Sequence, residues 1–199
     1  NIRNRLSPHF IFNVLNQEVV NHKEEEKQEL VSLVKLMRRN LELAEQLCVT
    51  LAEELDFVKT YIDLERRSLG ATFHPVIEIA GDVLPEQVWL PSMMIQIPVE
   101  NSVKHALRGK EGERNLWIAA DRREGGVCIR ITDNGGGYHP ESRNRGTGTG
   151  MKVIMQTIQI LNMKNQAAID ISVHNVTLPS GETGCEVTFL LPDKYDYRM

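Results

Sequence analysis

The sequence predicts an α+β chain. An N-terminal helical hairpin, a four-helix bundle when two copies pair, precedes a two-layer α/β sandwich on a mixed sheet. Three observations point there. Apolar residues recur at helical spacing up to about residue 70. From Phe73 onward they fall into short runs rich in branched residues, the pattern of strands. Two glycine clusters punctuate this second half, Asp133-Asn134-Gly135-Gly136-Gly137 and Gly146-Thr147-Gly148-Thr149-Gly150. The expected division is residues 1–70, helical, and residues 71–199, built on the sheet.

The elements follow in order. Ser7-Pro8 reads as an N-cap followed by proline at the first helical position. The helix it starts runs to about Asn21. His9, Asn13 and Asn16 share one polar stripe, and Phe10, Ile11, Phe12, Val14, Leu15 and Val19 cover most of the rest. His22 to Lys27 is a charged turn. Leu30, Leu33, Val34, Met37, Leu41 and Ala44 then repeat at helical spacing. Two such helices bury little alone, so a homodimer making four is the natural solution. Leu51 to Leu69 reads as a third helix, with acids in its first turn. Strands are expected around Val76–Ile79, Leu116–Ala119, Val127–Ile131, Ile169–Val173 and Glu186–Leu191. Helices near 91–107 and 149–163 interrupt them. Arg122 to Gly126 and Pro179 to Gly184 read as hairpin turns, and Tyr138 to Arg145 as a short lid.

Chemistry concentrates in three places. A carboxylate fixed at a strand end, Asp133, can accept a hydrogen bond from an exocyclic amine such as adenine's. Gly135 and Gly137 beside it allow close backbone approach to a ligand. Gly146, Gly148 and Gly150 open onto a helix, whose N–H groups and dipole suit phosphates. The alternative for each cluster is a surface turn. Upstream, Ile95, Val99, Val103, Ala106 and Leu107 form an apolar stripe. Asn101, Lys104, His105 and Arg108 fall on another face, with Glu100 at its edge. An amide oxygen suits Mg²⁺, and lysine and histidine one turn on can reach phosphate oxygens. The alternative is a solvated charged face. Pro98 lacks an N–H, so a kink or restart of the helix is expected there. The third place is the N-terminal helix, where His9 lies in the first turn and negative charge is favoured.

The order of these motifs is Pro-His-Phe-x-Phe-Asn-x-Leu-Asn, Glu-Asn-x-x-Lys-His, Asp-Asn-Gly-x-Gly, then Gly-x-Gly-x-Gly. It resembles the LytS-type sensor histidine kinases, whose ATP-binding half is similar to the fold of gyrase, Hsp90 and MutL ATPases. The resemblance covers nearly the whole chain. It implies that His9 accepts phosphate, that Asn101 holds Mg²⁺, that Asp133 reads adenine, and that the glycine loop forms a lid over the phosphates. Glu100 matches the acidic residue of the family's asparagine box and is a candidate general base. Asn13, one turn beyond His9, is a candidate for orienting water or phosphohistidine, or else a packing amide. ATP and Mg²⁺ are the implied cofactors, and the partner is the receiver domain of a response regulator. Two other readings are a degenerate kinase acting as a nucleotide-gated interaction module, and a plain ATPase. His9 separates them, because only a kinase needs it.

Some positions depart from the family pattern. Ser68-Leu69-Gly70 stands where Arg-Phe-Gly is usual, and Gln96-Ile97-Pro98-Val99-Glu100-Asn101 shifts the proline by one. Val153 replaces a common asparagine, and Cys185 a usual threonine.

Length and composition agree. A chain of 199 residues can bury a proper core. A net charge of −4 leaves no nucleic-acid footprint. Cys48, Cys128 and Cys185 lack metal spacing, as expected in a reducing compartment without disulfides. No apolar run approaches the roughly 20 residues that cross a bilayer, and no signal peptide is visible. The chain starts almost on top of the histidine motif. The expectation is therefore a fragment, the cytoplasmic portion of an inner-membrane sensor whose missing N-terminal segments carry the membrane contact.

Overall fold

In the computed structural model, Thr50 and Glu53 set the start of helix α1, Leu51–Leu69. Thr50 Oγ1 accepts the Glu53 N–H at 3.3 Å, and the Glu53 carboxylate accepts the Thr50 N–H at 2.9 Å. This reciprocal cap satisfies donors that a helix start leaves orphaned. Gly70, at φ 74°, ends the helix where a side chain would be strained. The described residues are 46–139 and 149–198, together with Val31, Val34 and Met37, which are helical. His9, Asn13, Gly146 and Gly148 lie outside them, as do the first helix, Leu30, Leu33, Leu41, and residues 140–145 of the expected lid.

Helix α1 follows a short strand, β1, Cys48–Thr50. It buries Leu51, Leu55, Phe57, Val58, Tyr61 and Ile62. These side chains join the same core as the sheet. Burying each fully stabilises the fold by ~1.5–3 kcal/mol, so α1 is anchored to the sheet layer.

Strand β2, Phe73–Ile79, comes next, then the short β3, Trp89–Pro91, which pairs with β1. Helix α2 spans Gln96–Asn101 and continues into a π-helical stretch, Ser102–Leu107. Strands β4, Arg114–Arg123, and β5, Gly126–Asp133, form a hairpin. Helix α3, Thr149–Asn162, precedes β6, Asp170–Thr177, and β7, Thr183–Pro192. The five long strands make one sheet in the order β2-β4-β5-β7-β6. The pair β2–β4 is parallel and the others antiparallel, so the sheet is mixed as expected.

Alternation along the strands sorts the two faces. Leu116, Ile118, Ile129, Ile131, Val187 and Phe189 are buried on the helix side. Ile154, Ile158 and Leu161 of α3 and Ile95, Val99, Val103 and Leu107 around α2 cover them. The opposite face carries Thr132, Glu186 and His174 in one row of the ladder. There Thr132 Oγ1 donates to Glu186 at 2.8 Å, and His174 lies 3.4 Å from the same carboxylate.

Two details differ from expectation. The helix expected from residue 91 starts at Gln96, because Pro91 still belongs to β3 and Met93 has φ 68°. Pro98 stands inside the helix, in its first turn: Ile97 and Val99 on either side still donate four residues back, to Met93 O at 3.1 Å and Ile95 O at 3.2 Å, and only the one bond its missing N–H would make is lost. The irregularity comes later, where Arg108 N–H reaches back five residues to Val103 O at 2.9 Å.

Candidate functional site

Asp133 is the last residue of β5 and only 3% exposed. An isolated buried carboxylate is costly unless donors surround it. Here Oδ1 accepts the Gly135 N–H at 2.9 Å, and Oδ2 accepts the Ser102 hydroxyl at 2.8 Å. Burial pushes its pKa up, against the opposing pull of the Gly135 N–H, the Ser102 hydroxyl and the Cys185 N–H. Ser102 directly follows Asn101. The strand-end carboxylate and the helix amide are thus joined through one hydrogen bond and one peptide unit.

Asn134 braces the turn that follows. Its Oδ1 accepts the Asn115 N–H at 2.8 Å, and its Nδ2 donates to Glu113 O at 2.9 Å and to Glu182. Glu182 also meets Lys110 at 3.0 Å. One buried amide thereby ties the start of β4, the end of β5 and the β6–β7 hairpin together. Gly135 packs directly on the helix: a Cβ there would stand 2.3 Å from the Ala106 Cβ. Gly137 has φ 90°, and a Cβ on it would meet Asn175 and Thr183. Asn175 grips the first lid residue, accepting the Tyr138 N–H at 2.5 Å and donating to its carbonyl at 3.2 Å.

Asn175, Cys185 and Asp133 form one row across β6, β7 and β5, on the helix side of the sheet. Gly184 permits this. A Cβ at Gly184 would lie 2.0 Å from the Asp133 carbonyl oxygen. The Cys185 thiol is pushed up to about 11, by burial first and then by the charges of Asp133 and Glu186, so it stays protonated at neutral pH.

Asn101 is half-buried, and among the described residues its side-chain amide has no hydrogen-bond partner. Lys104 and His105 are exposed on the π-helical turn. Glu100 has both oxygens engaged, one by Gln96 Nε2 at 2.9 Å and the other by Lys104 Nζ at 3.1 Å. Gly150 opens α3 against α2; a Cβ there would lie 2.8 Å from the Ile97 methyl. Asp133, Gly135, Asn101 and Gly150 are therefore gathered around α2 and its continuation. Two open depressions of the described surface lie elsewhere. One, of about 610 Å³, is lined by Lys164, Asn165, Lys194, Tyr195 and Arg198, and one of about 390 Å³ lies between α1 and β2. Ser102 and Asn134 stand next to Asn101 and Asp133 in the sequence, but the sequence assigned neither a role; Asn175 and Gly184 depend on strand register, which no local spacing encodes.

Residues 90–195 match the model of the histidine kinase-, DNA gyrase B- and HSP90-like ATPases. The chain belongs to that family. Residues 1–73 match a second model, that of histidine kinases. In this ATPase family the chain is similar to the sensor protein LytS of Bacillus subtilis, 29% identical over 94% of this chain and 32% of that protein. It is likewise similar to the sensor histidine kinase BtsS of Escherichia coli K12, 31% identical over 72% of this chain and 26% of that one. The chain thus spans about a third or less of the length of these relatives. Among solved structures, the histidine kinase domain of the blue-light activated kinase from Erythrobacter litoralis EL346 shares the fold. Its TM-score is 0.52 at 15% identity, covering 92% of this chain and 81% of that one. Family membership makes this a nucleotide-binding unit, and Asp133 lies within the matched range. No helix among the described residues is long and apolar enough to cross a membrane.

Proposed function

We propose that this chain is the kinase core of a two-component sensor, moving the γ-phosphoryl of ATP to His9 and then to an aspartate on a response-regulator receiver domain. One observation supports the reading most: the Ser102–Asp133 hydrogen bond of 2.8 Å, which ties the buried strand-end carboxylate to the residue next to Asn101. Asp133 accepts the adenine amine. Asn101 holds Mg²⁺, with Lys104 and His105 facing the phosphates and Gly146, Gly148 and Gly150 lidding them. The residues present fit the metal, since an amide oxygen is a hard ligand for it and that of Asn101 has no other bond among the described residues. When bound, Mg²⁺ neutralises charge on the β- and γ-phosphates.

In the transfer, a ring nitrogen of His9 forms the N–P bond as the bond from phosphorus to the β–γ bridging oxygen breaks, leaving ADP. Glu100 is the candidate acceptor of the imidazole proton, and it must first exchange its contacts to Gln96 and Lys104. Residues 1–70 supply the phosphoacceptor and homodimer contacts and residues 71–199 the nucleotide site, with α1 packed on the latter. In this reading Asn13, four residues beyond His9 in the sequence, acts on phosphohistidine.

Incubation with γ-labelled ATP should put acid-labile, base-stable label on the protein, and none on His9→Gln, which should still bind ATP. Tight ATP binding with no label on the parent would refute the transfer. Asn101→Ala should cut Mg²⁺-dependent ATP affinity by about tenfold or more, the weight of one contact to a charged group, and abolish label. Affinity without metal should change little. Equal losses with and without Mg²⁺, measured by calorimetric titration, would make Asn101 a packing residue.

A further inference from the structure

Glu54 of α1 is completely buried, at 0% exposure. Its carboxylate accepts backbone N–H groups from Met93 at 2.5 Å, Ile95 at 3.1 Å and Gln96 at 3.1 Å. These residues lead into α2; Ile95 is its N-cap and Gln96 its first residue, so two of the three N–H groups would otherwise be orphan donors of the helix start. The entry is held tightly enough to keep Met93 at φ 68°, a conformation that L-residues rarely adopt. Three turns along the same face of α1 stands Glu65. Its carboxylate receives Arg108 Nη2 at 2.5 Å, while Arg108 Nη1 donates to Ser68 at 3.3 Å. Gln96 and Arg108 bracket Glu100, Asn101 and Lys104. Between the two pins Val58, Tyr61 and Ile62 pack into the shared core. The helix that carries the asparagine is therefore held at both ends by carboxylates of a single neighbouring helix.

We infer that Glu54 is a positioning residue for the metal–nucleotide site: through the entry of α2 it fixes where Asn101 stands, and with the Glu65–Arg108 pair it makes α1 and the nucleotide helix move as one piece. The inference rests on the reading of Asn101 as the metal-holding amide. Its mechanical meaning follows from chain order. Helix α1 begins directly after the strand that leads in from the N-terminal residues. A turn or shift imposed on α1 from that side is handed to the backbone leading to Asn101 by the direct hydrogen bonds of Glu54, whereas Asp133 accepts no hydrogen bond from α1 and meets the nucleotide helix through Ser102 and the Gly135–Ala106 contact.

The test is calorimetric titration of the whole chain with Mg·ATP and with ATP in chelator, beside thermal melting. Glu54→Gln keeps size but sets an amide N–H₂ against backbone donors. It should weaken Mg·ATP about tenfold and metal-free ATP by no more than about twofold, because one buried donor loses its acceptor at the entry of the helix that carries Asn101 while Asp133 is untouched. A merely structural cap would lower the melting temperature and shift both affinities by the same factor, which overturns the inference. Should Glu54→Gln fail to fold, the exposed end decides. Glu65→Arg and Arg108→Glu should each weaken Mg·ATP selectively, and the double exchange should recover most of it. Singles that leave the metal dependence unchanged overturn the inference as well. A parent that binds ATP no better with Mg²⁺ than without removes the metal reading of Asn101, and this inference with it. A parent with strong metal dependence and an indifferent Glu54→Gln sinks the inference alone.

Discussion

Gly135→Ala should lose both stability and nucleotide binding, and Ala106→Gly should return part of each. The added Cβ would stand 2.3 Å from the Ala106 Cβ and 2.9 Å from the Ala106 Cα and carbonyl carbon. Two of those three atoms are backbone of a packed helix, so no rotamer change relieves the clash. The turn must lift away, and the Gly135 N–H leaves Asp133 as it does. Overpacking of this kind costs roughly 1–3 kcal/mol, a clear drop in melting temperature for a domain of this size. Trimming Ala106 removes the nearest atom and leaves the backbone contacts, hence the partial recovery. Melting and ATP titration of the two single variants and the double one are the measurements. An alanine at 135 with parental stability and affinity would mean that the turn does not sit on the helix.

Asp133→Asn should behave oppositely, losing binding while the fold holds. Asparagine keeps an oxygen for the Gly135 N–H, and the Ser102 hydroxyl can reverse to accept from the new amide. What disappears is the charge-assisted acceptor for adenine, worth roughly 1.5–3 kcal/mol, or about ten- to a hundredfold in affinity. Burial, the largest influence on Asp133, raises its folded pKa above that of the unfolded chain. The free protein therefore loses stability from this group as pH rises from the ordinary carboxylate value to the raised one. Removing the charge relieves that loss, so the melting temperature of the variant at neutral pH should equal or exceed the parent's. Binding needs the ionised form. Parental ATP affinity should fall as pH drops through the raised value, and the residual affinity of Asp133→Asn should lack that step. Undiminished ATP affinity in the variant would end the adenine assignment.

Legibility in the sequence tracked the range of the interactions. Helix Leu51–Leu69 could be bounded to the residue because its signals are local: Thr50 with Glu53 at one end, Gly70 at the other. The five long strands were found because alternation along each reports burial on one face. Strands Cys48–Thr50 and Trp89–Pro91 escaped notice, since three residues carry no period. Asp133, Asn101 and the glycines were visible as motifs, but the contacts that join them were not. Ser102 to Asp133, Gly184 beneath Asp133 and Asn175 on Tyr138 each span more than thirty residues and depend on register. The partners of Glu100 lay within reach of helical spacing, since Gln96 and Lys104 stand one turn to either side.

The π-helical stretch from Ser102 to Leu107 changes how such motifs can be compared. Each residue of an α-helix advances the direction of its side chain by about 100°. A widened turn absorbs an extra residue without that advance, so every side chain beyond it is out of phase with a count made from Pro98. Letters that align between two chains after the Glu-Asn pair then occupy different compass bearings if one chain lacks the wide turn. The alignment column is a place in a string, while Lys104 and His105 face where the backbone winding points them. Relatives are better matched through this region by azimuth around the helix axis than by position in the motif.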